Sequence, residues 1–446
     1  MDAVRCPRCA GPIDSQSVSI RCLECGQHFP RLGSIPVLLR DPQLYLQSCR
    51  AQADLLEEQS VRTIRTIEDQ LKAGDLLPLT KQRCLSMIDA IREQTRDIQS
   101  VLSPLRTVSA TLSIPQHNQT SAPLEYIHYL YRDWGWPSEP SGESERALAA
   151  MQFVAEQVPF GNMLVLGAGG CRLAYDLHLL HAGTETIVLD IDPFLFSAAH
   201  TVIRGGSLKL REANAEIDDL GHVEKQWVLK APRGPIDGGQ FHFMIADGLE
   251  PPFAPETFDT VVTPWFIDVV PSDLRNLISE LHRLLKPGGR WLNLGPLHYK
   301  PSVPATRRFA REEVFDLAAR SGMEVYKWRT ESMPYLVSKL NDRGKLESVL
   351  SFGSRKLDIS LRDRREFPPA WLIFGHVPIP ALPPREEFHA TDPAELMVLE
   401  AINGRRTLDD IASVLASHAG ETGLTRDQFR EIVRRCLLVI HPGAKQ

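Results

Sequence analysis

Residues 162–190 constrain this chain more than any other stretch. Asn162-Met163-Leu164-Val165-Leu166 is an apolar run of strand length, Gly167-Ala168-Gly169-Gly170 follows, and Arg172 to Leu180 reads as a helix. Thr186-Ile187-Val188-Leu189 is a second apolar run, and it ends in Asp190. The pattern then repeats. Phe241 to Ile245 leads into Ala246-Asp247-Gly248, and Phe258-Asp259-Thr260-Val261-Val262-Thr263 continues as Pro264-Trp265-Phe266-Ile267-Asp268. A helix is expected from Pro271 to Leu285, and Lys286-Pro287-Gly288-Gly289 is a turn feeding the strand Arg290 to Leu294. Such alternation implies an α/β fold with a doubly wound parallel sheet, in which ligands bind beyond the carboxyl ends of the strands. Asp190, Asp247 and Asp268 all fall at such ends.

The glycine-rich turn lets backbone amides approach a ligand closely. It is incomplete for a dinucleotide: Gly167-x-Gly169 is present, but Leu173 stands at the third glycine position, which argues against a dehydrogenase. Asp190 lies about twenty residues beyond the glycines, where a carboxylate accepts hydrogen bonds from ribose hydroxyls. The competing reading is a turn or helix-capping aspartate before Pro193. For Asp268 the competing reading is a helix N-terminal aspartate ahead of Pro271 and Ser272.

Four of the eight cysteines lie near the start, as Cys6-Pro-Arg-Cys9 and Cys22-Leu-Glu-Cys25. Two such pairs place four thiolates around one tetrahedral Zn²⁺, a closed structural site. Gly11-Pro12 and Gly26 suit the tight knuckles. A thioredoxin-like redox pair is the weaker reading, because there are two pairs and no βαβ context around them. So short a segment cannot build a sufficient core, and metal binding supplies its folding energy. Cys49, Cys84, Cys171 and Cys436 are scattered and read as buried or incidental thiols.

A net charge of −6 on 446 residues argues against general nucleic-acid binding. No apolar stretch is long enough to cross a bilayer, and the N-terminus lacks a signal-peptide core, so the expected compartment is the cytoplasm. Leu55, Val61, Ile64, Ile67 and Leu71 recur at helical spacing, and a second helix is expected from Lys81 to Leu102. Leu124 to Trp136 is unusually aromatic, which suits core packing, a lid or the wall of a ligand site. Near the end, a Pro-rich stretch from Phe367 to Pro384 carries the expected strand Trp371-Leu372-Ile373-Phe374, and Thr407-Leu408-Asp409-Asp410 and Thr425-Arg426-Asp427-Gln428 resemble capping-box helix starts.

Several motifs resemble known families. The stretch CPRCAGPI…IRCLECGQHFPRLGSIPVLL resembles Trm112-like zinc ribbons, which partner with methyltransferases. The LLKPGGRW turn is similar to that of class I methyltransferases, whose sheet ends in an antiparallel hairpin. Tyr131-Arg132-Asp133-Trp134, Gly167 to Ala174, Phe266-Ile267-Asp268 and the long run from Leu285 to Tyr299 resemble the N2227 family, to which the carnosine N-methyltransferases belong. ELMVLEAINGRRTLDDIASVLA resembles PqqD-like or winged-helix modules. The resemblances imply a Trm112-like ribbon at 1–42, a helical packing region at 43–122, a methyltransferase domain at 123–384 and a small, mainly helical module at 385–446.

They also imply S-adenosyl-L-methionine (SAM) as cofactor beside structural zinc. By resemblance, Arg132 would reach the SAM carboxylate or help close its pocket, and Gly167 and Gly169 would approach the methionine moiety. Asp190 would hold the ribose, Asp247 and Gly248 would lie against the adenine, and Trp265 would wall the cofactor. Asp268 would face the acceptor, which in the carnosine enzymes is an imidazole. An N–H accepted by Asp268 would fix the imidazole tautomer, aim the other nitrogen at the methyl group and stabilise the cation that forms. Tyr335 resembles a family tyrosine at the substrate mouth. The pattern departs at two places: Cys171 replaces a glycine of the turn, and Lys300 stands where the family has a substrate histidine. His298 lies on the same face of an extended backbone and could substitute, and Lys300 could grip an acceptor carboxylate.

The expected function is SAM-dependent N-methylation of an imidazole-containing small molecule or peptide. One alternative is a methyltransferase whose flanking modules recruit a peptide, protein or natural product. The other is a non-catalytic SAM-binding partner protein.

Overall fold

The strands and helices alternate as the apolar pattern requires, but the sheet they form is wider than the pattern predicts. A computed structural model of the chain describes residues 3–14, 20–72, 74–107, 123–136, 142–181, 183–213, 219–236, 238–270, 273–301, 303–338, 344–357, 370–373, 379–382, 392–418 and 424–440. Residues 1–269, 281–302 and 308–358 form one unit, and 270–280, 303–307 and 359–446 a second.

Five short strands open the chain. β1 (Ile13–Asp14), β2 (Ile20–Cys22) and β3 (His28–Phe29) make an antiparallel sheet, and β4 (Arg31–Leu32) turns through Gly33 into β5 (Ile35–Leu38). Asp41 then caps α1 (Pro42–Gln70) by accepting the Leu44 N–H at 3.1 Å, with Pro42 in the first helical turn. The buried stripe of α1 includes Leu46, Leu56, Ile64 and Ile67, and Ile64 and Ile67 pack with Ile88 of α2 (Pro78–Val101). The aromatic run forms α3 (Pro123–Leu130) and a π-helical turn over Tyr131–Gly135, followed by α4 (Glu143–Ala155).

The expected alternation comes next: β6 (Asn162–Leu166), α5 (Arg172–His178), β7 (Glu185–Asp190) and α6 (Pro193–Ile203). A separate hairpin, β8 (Leu208–Ala213) with β9 (Glu224–Leu229), precedes β10 (Phe241–Ala246) and β11 (Phe258–Pro264). Then come α7 (Leu274–Leu284), β12 (Leu285–Gly295), α8 (Arg311–Arg320), β13 (Met323–Tyr335) and β14 (Lys345–Lys356). The expected start of α7 at Pro271 and Ser272 lies outside the described residues.

Among the described residues the main sheet has nine strands in the order β13-β14-β12-β11-β6-β7-β10-β5-β4. β12, β11, β6, β7 and β10 run parallel, with the switch in chain direction between β6 and β11, and β14 lies antiparallel between β12 and β13. This is the class I methyltransferase arrangement. The Lys286–Gly289 turn appears as a register shift in the β11–β12 pairing, with Gly288 at φ +75°. The extra width comes from β5, which pairs in parallel with β10. Met163, Leu164, Val165 and Leu166 of the central strand are fully buried, as expected of a strand covered on both faces. A polar chain runs through the sheet as well: Trp291 Nε1 donates to Thr263 Oγ1 at 2.8 Å, and Thr263 Oγ1 lies 2.9 Å from Asn293 Oδ1.

The last segment is helical, with α9 (Ala370–Ile373), α10 (Pro393–Ala401), α11 (Leu408–His418) and α12 (Arg426–Ile440) around their own apolar cluster. Both expected capping boxes form. Asp410 N–H donates to Thr407 Oγ1 at 3.1 Å while Thr407 N–H donates to Asp410 Oδ2 at 2.9 Å, and Thr425 and Gln428 exchange the same pair of bonds at 2.7 and 3.3 Å. The strand expected at Trp371 to Phe374 is instead helical over Ala370–Ile373, since a four-residue apolar run does not distinguish strand from helix. Phe374 and most of the Pro-rich stretch fall outside the described residues. Among the described residues no helix is long and apolar enough to cross a membrane.

Gly353 of β14 tests this packing. A Cβ there would lie 2.5 Å from the Tyr326 hydroxyl and 2.8 Å from the Val154 carbonyl of α4. Gly353→Ala should therefore cost about 1–3 kcal/mol of overpacking, seen as a lower urea midpoint at unchanged slope. A midpoint equal to the wild type would show that the α4–β14 contact is loose.

Candidate active site

Because β6, β7, β10, β11 and β12 are parallel, everything that follows each of them emerges on one edge of the sheet. The turn after β6 is bent by Gly167 and Gly169 at φ +67° and +54°. The Gly167 and Ala168 amides donate to the Leu189 carbonyl, and the Gly169 amide donates to Asp190 Oδ2 at 2.7 Å. A Cβ on Gly170 would collide with the Asp133 carboxylate, and one on Gly167 with the Phe266 ring. Cys171, in the place of a third glycine, also takes a left-handed conformation at φ +64°, which costs a non-glycine residue about 1–3 kcal/mol. The buried core holds its side chain in place regardless.

Asp190 also accepts the Ile191 and Asp192 amides through Oδ1, at 2.7 and 2.9 Å. It does not cap α6. That part belongs to Asp192, which accepts the Leu195 amide at 2.9 Å. Burial raises the pKa of Asp190 against these three amide bonds, and burial with the Asp190 charge raises Asp192 to about 7. After β10, Asp247 Oδ1 accepts the Leu249 amide at 2.8 Å, and burial together with the Glu250 charge lifts its pKa to about 6. A Cβ on Gly248 would lie 2.7 Å from Phe266 Cζ, so this ring packs close to the turns after both β6 and β10.

The loop after β11 carries a strained residue. Trp265 sits at φ +51°, and a Cβ on Gly295 would come within 3.0 Å of its Cα, so only glycine allows this approach. The Trp265 ring lies 4.8 Å from that of Tyr335, whose hydroxyl is 2.5 Å from the Tyr129 hydroxyl, and the Arg132 guanidinium lies 5.0 Å over the Tyr129 ring. Arg132 also donates to Asp133 at 2.6 Å and to Glu143 at 2.7 Å. Arg132, Trp265 and Tyr335 are thus joined in one wall.

Three residues on, Asp268 is 3% exposed. Its Oδ2 accepts the His298 backbone amide at 3.1 Å, while Oδ1 is buried with no hydrogen-bond partner. Such an atom is costly to leave unsatisfied. Burial raises the Asp268 pKa to about 6, with the nearby Glu347 charge adding to the rise. At the described start of α7 it is Asp273 that accepts the Arg275 amide, at 3.0 Å, while Pro271 and Ser272, on which the helix-start reading of Asp268 depended, lie outside the described residues. The His298 ring is mostly exposed, with Nδ1 2.8 Å from Glu347 Oε2, and Lys345 pairs with the other Glu347 oxygen. Lys300 is exposed, two residues past His298.

The thiols of Cys6, Cys9, Cys22 and Cys25 lie within 4.8 Å of one another, with Cys6–Cys25 and Cys9–Cys22 Sγ separations of 3.8 and 3.5 Å. Four thiolates at about 2.3 Å from a tetrahedral zinc stand about 3.8 Å apart, so the site fits the ion. The Arg8 and Cys25 amides donate to Cys6 and Cys22 sulfurs at 3.4 and 3.5 Å, as tight knuckles around a thiolate require.

Residues 237–341 match the family model described as carnosine N-methyltransferase. Over these residues the chain is similar to that family. Carnosine N-methyltransferase unmet of Drosophila melanogaster is 38% identical over 61 residues, 14% of this chain and 13% of that protein. Carnosine N-methyltransferase of Dictyostelium discoideum is 33% identical over 85 residues, 19% of this chain and 18% of that protein. The matched stretch spans less than a fifth of either relative. Among solved structures, a SAM-dependent methyltransferase from Methanosarcina mazei is similar at a TM-score of 0.32 and 18% identity, over 45% of this chain and 94% of that one.

The matched residues include Asp247, Gly248, Trp265, Asp268, His298, Lys300 and Tyr335, while Arg132, Gly167, Gly169 and Asp190 precede them. Sequence reading missed Glu347, Glu143 and Phe266 as members of this site. Glu347 carries no local motif and reaches His298 only through the β12–β14 pairing. Phe266 stands inside a quoted motif, but its place beside two glycines shows only in three dimensions.

Asp268 makes a testable link between site and stability. Its folded pKa lies above the ordinary aspartate value of about 4, so the folded chain binds the extra proton and loses stability as pH rises from about 4 to about 6. Asp268→Asn should then be about 2 kcal/mol more stable than wild type in urea at pH 8, with the gain gone near pH 4. A difference independent of pH would contradict the burial of an ionised Asp268.

Proposed function

We propose that this chain is a SAM-dependent N-methyltransferase acting on the imidazole of a small molecule or short peptide. The observation that carries this reading is the buried, unpartnered Oδ1 of Asp268. A neutral imidazole has one N–H and one lone pair on opposite sides of the ring. A carboxylate that accepts the N–H fixes the tautomer, leaves the lone pair facing outward as nucleophile, and stabilises the cation that forms. No strong base is needed. The charge asked of Asp268 is present above its raised pKa, near neutral pH.

The residues at the strand ends fit the cofactor. SAM would supply a methyl group on a sulfonium centre, open to in-line displacement. Gly167 and Gly169 let the turn approach the methionine end, Asp190 stands where ribose hydroxyls need an acceptor, and Asp247 and Gly248 serve the adenine end. Trp265 and Tyr335 wall the site between cofactor and acceptor. Arg132, already held by Asp133 and Glu143, closes the pocket rather than binding a free carboxylate. His298, oriented by Glu347, and the exposed Lys300 flank the acceptor, with Lys300 suited to an acceptor carboxylate. The four cysteines hold structural zinc, which supports the ribbon at 1–42 and has no part in the reaction.

Calorimetry with SAM and a methyl-transfer assay on a histidyl dipeptide test this reading. Asp268→Asn should bind SAM with wild-type affinity but lose about 10²–10³ in kcat, since an amide accepts the N–H without balancing the cation. Turnover within threefold of wild type at unchanged SAM affinity would remove Asp268 from the reaction.

A further inference from the structure

The sheet's extra strand brings part of the N-terminal segment to the candidate cofactor site. β5 pairs with β10 as Ile245↔Val37 and Ala246↔Leu38, so the chain leaves the sheet at Leu38 on the same edge as Asp247 and one residue short of it. From there it closes on two strand ends. Arg40 Nε and a terminal guanidinium nitrogen lie 2.9 and 2.8 Å from Glu250 Oε2, beside Asp247. The Tyr45 hydroxyl, in the first turn of α1, donates to the carbonyl of Ile191, the residue after Asp190. Leu38, Leu39, Arg40 and Tyr45 face Asp247 and Glu250 across a cavity of about 220 Å³. The loop beyond Glu250 is braced from the same side, with the Arg5 amide donating to Pro252 O at 2.8 Å and the Ala254 amide to Ala3 O at 2.7 Å.

We propose that residues 38–45 form the outer wall of the nucleoside end of the cofactor site. The proposal rests on the SAM-binding reading above and deepens it. In an open parallel sheet the ligand lies beyond the carboxyl ends of neighbouring strands, so the strand beside the adenine-side strand is placed to cover its far face. The chemistry of the cavity suits a purine nucleoside: Leu38 and Leu39 offer an apolar face, and Asp247 offers an acceptor at its edge. Tyr45 and Arg40 act as positioning residues. One fixes the backbone beside Asp190, and the other fixes the loop that carries Asp247.

Calorimetric titration of the zinc-loaded 446-residue chain with SAM, and separately with adenosine, tests this. Leu39→Trp should fill the cavity and weaken both ligands tenfold or more. Arg40→Ala, at a side chain 45% exposed and so no threat to the fold, should weaken both about three- to tenfold. Melting temperature and bound zinc, measured on the same samples, should match wild type. If wild type binds SAM and both variants bind it within twofold of wild type, the wall does not exist as described. If wild type binds no SAM, the methyltransferase reading itself falls, and this proposal with it.

Discussion

The hydrogen bond from the Gly169 amide to Asp190 ties the ends of two central strands together, and the geometry of the site follows from it. The turn after β6 can be drawn down onto β7 only because Gly167 and Gly169 accept left-handed backbone and because nothing projects from Gly170 toward Asp133. With that turn fixed, α5 starts at Arg172, directly after Cys171, and Trp134 Nε1 reaches the Gly170 carbonyl at 2.7 Å. The aromatic segment before β6 is thereby pinned to the strand ends, and Arg132 and Tyr129 reach the wall they share with Trp265 and Tyr335.

The same edge gathers carboxylates that the protein desolvates. Asp190, Asp192, Asp247 and Asp268 all carry raised pKa values, and burial is the leading cause for each. Desolvated carboxylates of this kind cost stability, and such groups cluster at functional sites. Backbone amides repay part of the cost at Asp190, Asp192 and Asp247. Asp268 has one such amide, from His298, and it alone of the four leaves a buried oxygen unsatisfied, the feature on which its proposed contact with an acceptor N–H rests.

Much of this was legible in the sequence because it is local. Apolar runs ending in Asp190 and Asp247, the glycine turn, the two CxxC pairs and the capping boxes at Thr407 and Thr425 are each written within a few residues, and their physics is short-range. What escaped depends on distant pairing. Ile35-Pro36-Val37-Leu38 reads as part of a ribbon, and nothing near it announces a partner strand some two hundred residues away. Glu347 meets His298 only because β14 runs antiparallel to β12. The Trp371–Ile373 run was misread for the opposite reason: it is local, but too short for its period to decide between strand and helix. The role given to Asp190 comes from its spacing and from the family resemblance, those of Asp247 and Asp268 from the resemblance and their strand-end positions, and the structure adds their hydrogen-bond states.

The position of the transferred methyl group tests the account most directly. Incubation with SAM bearing a ¹³C-labelled methyl and a histidyl dipeptide, followed by NMR of the product, should place the label on an imidazole nitrogen. A label on an amine, a carboxylate or a hydroxyl, or no transfer by a protein that binds SAM, would contradict the role assigned to the unpartnered Asp268 oxygen.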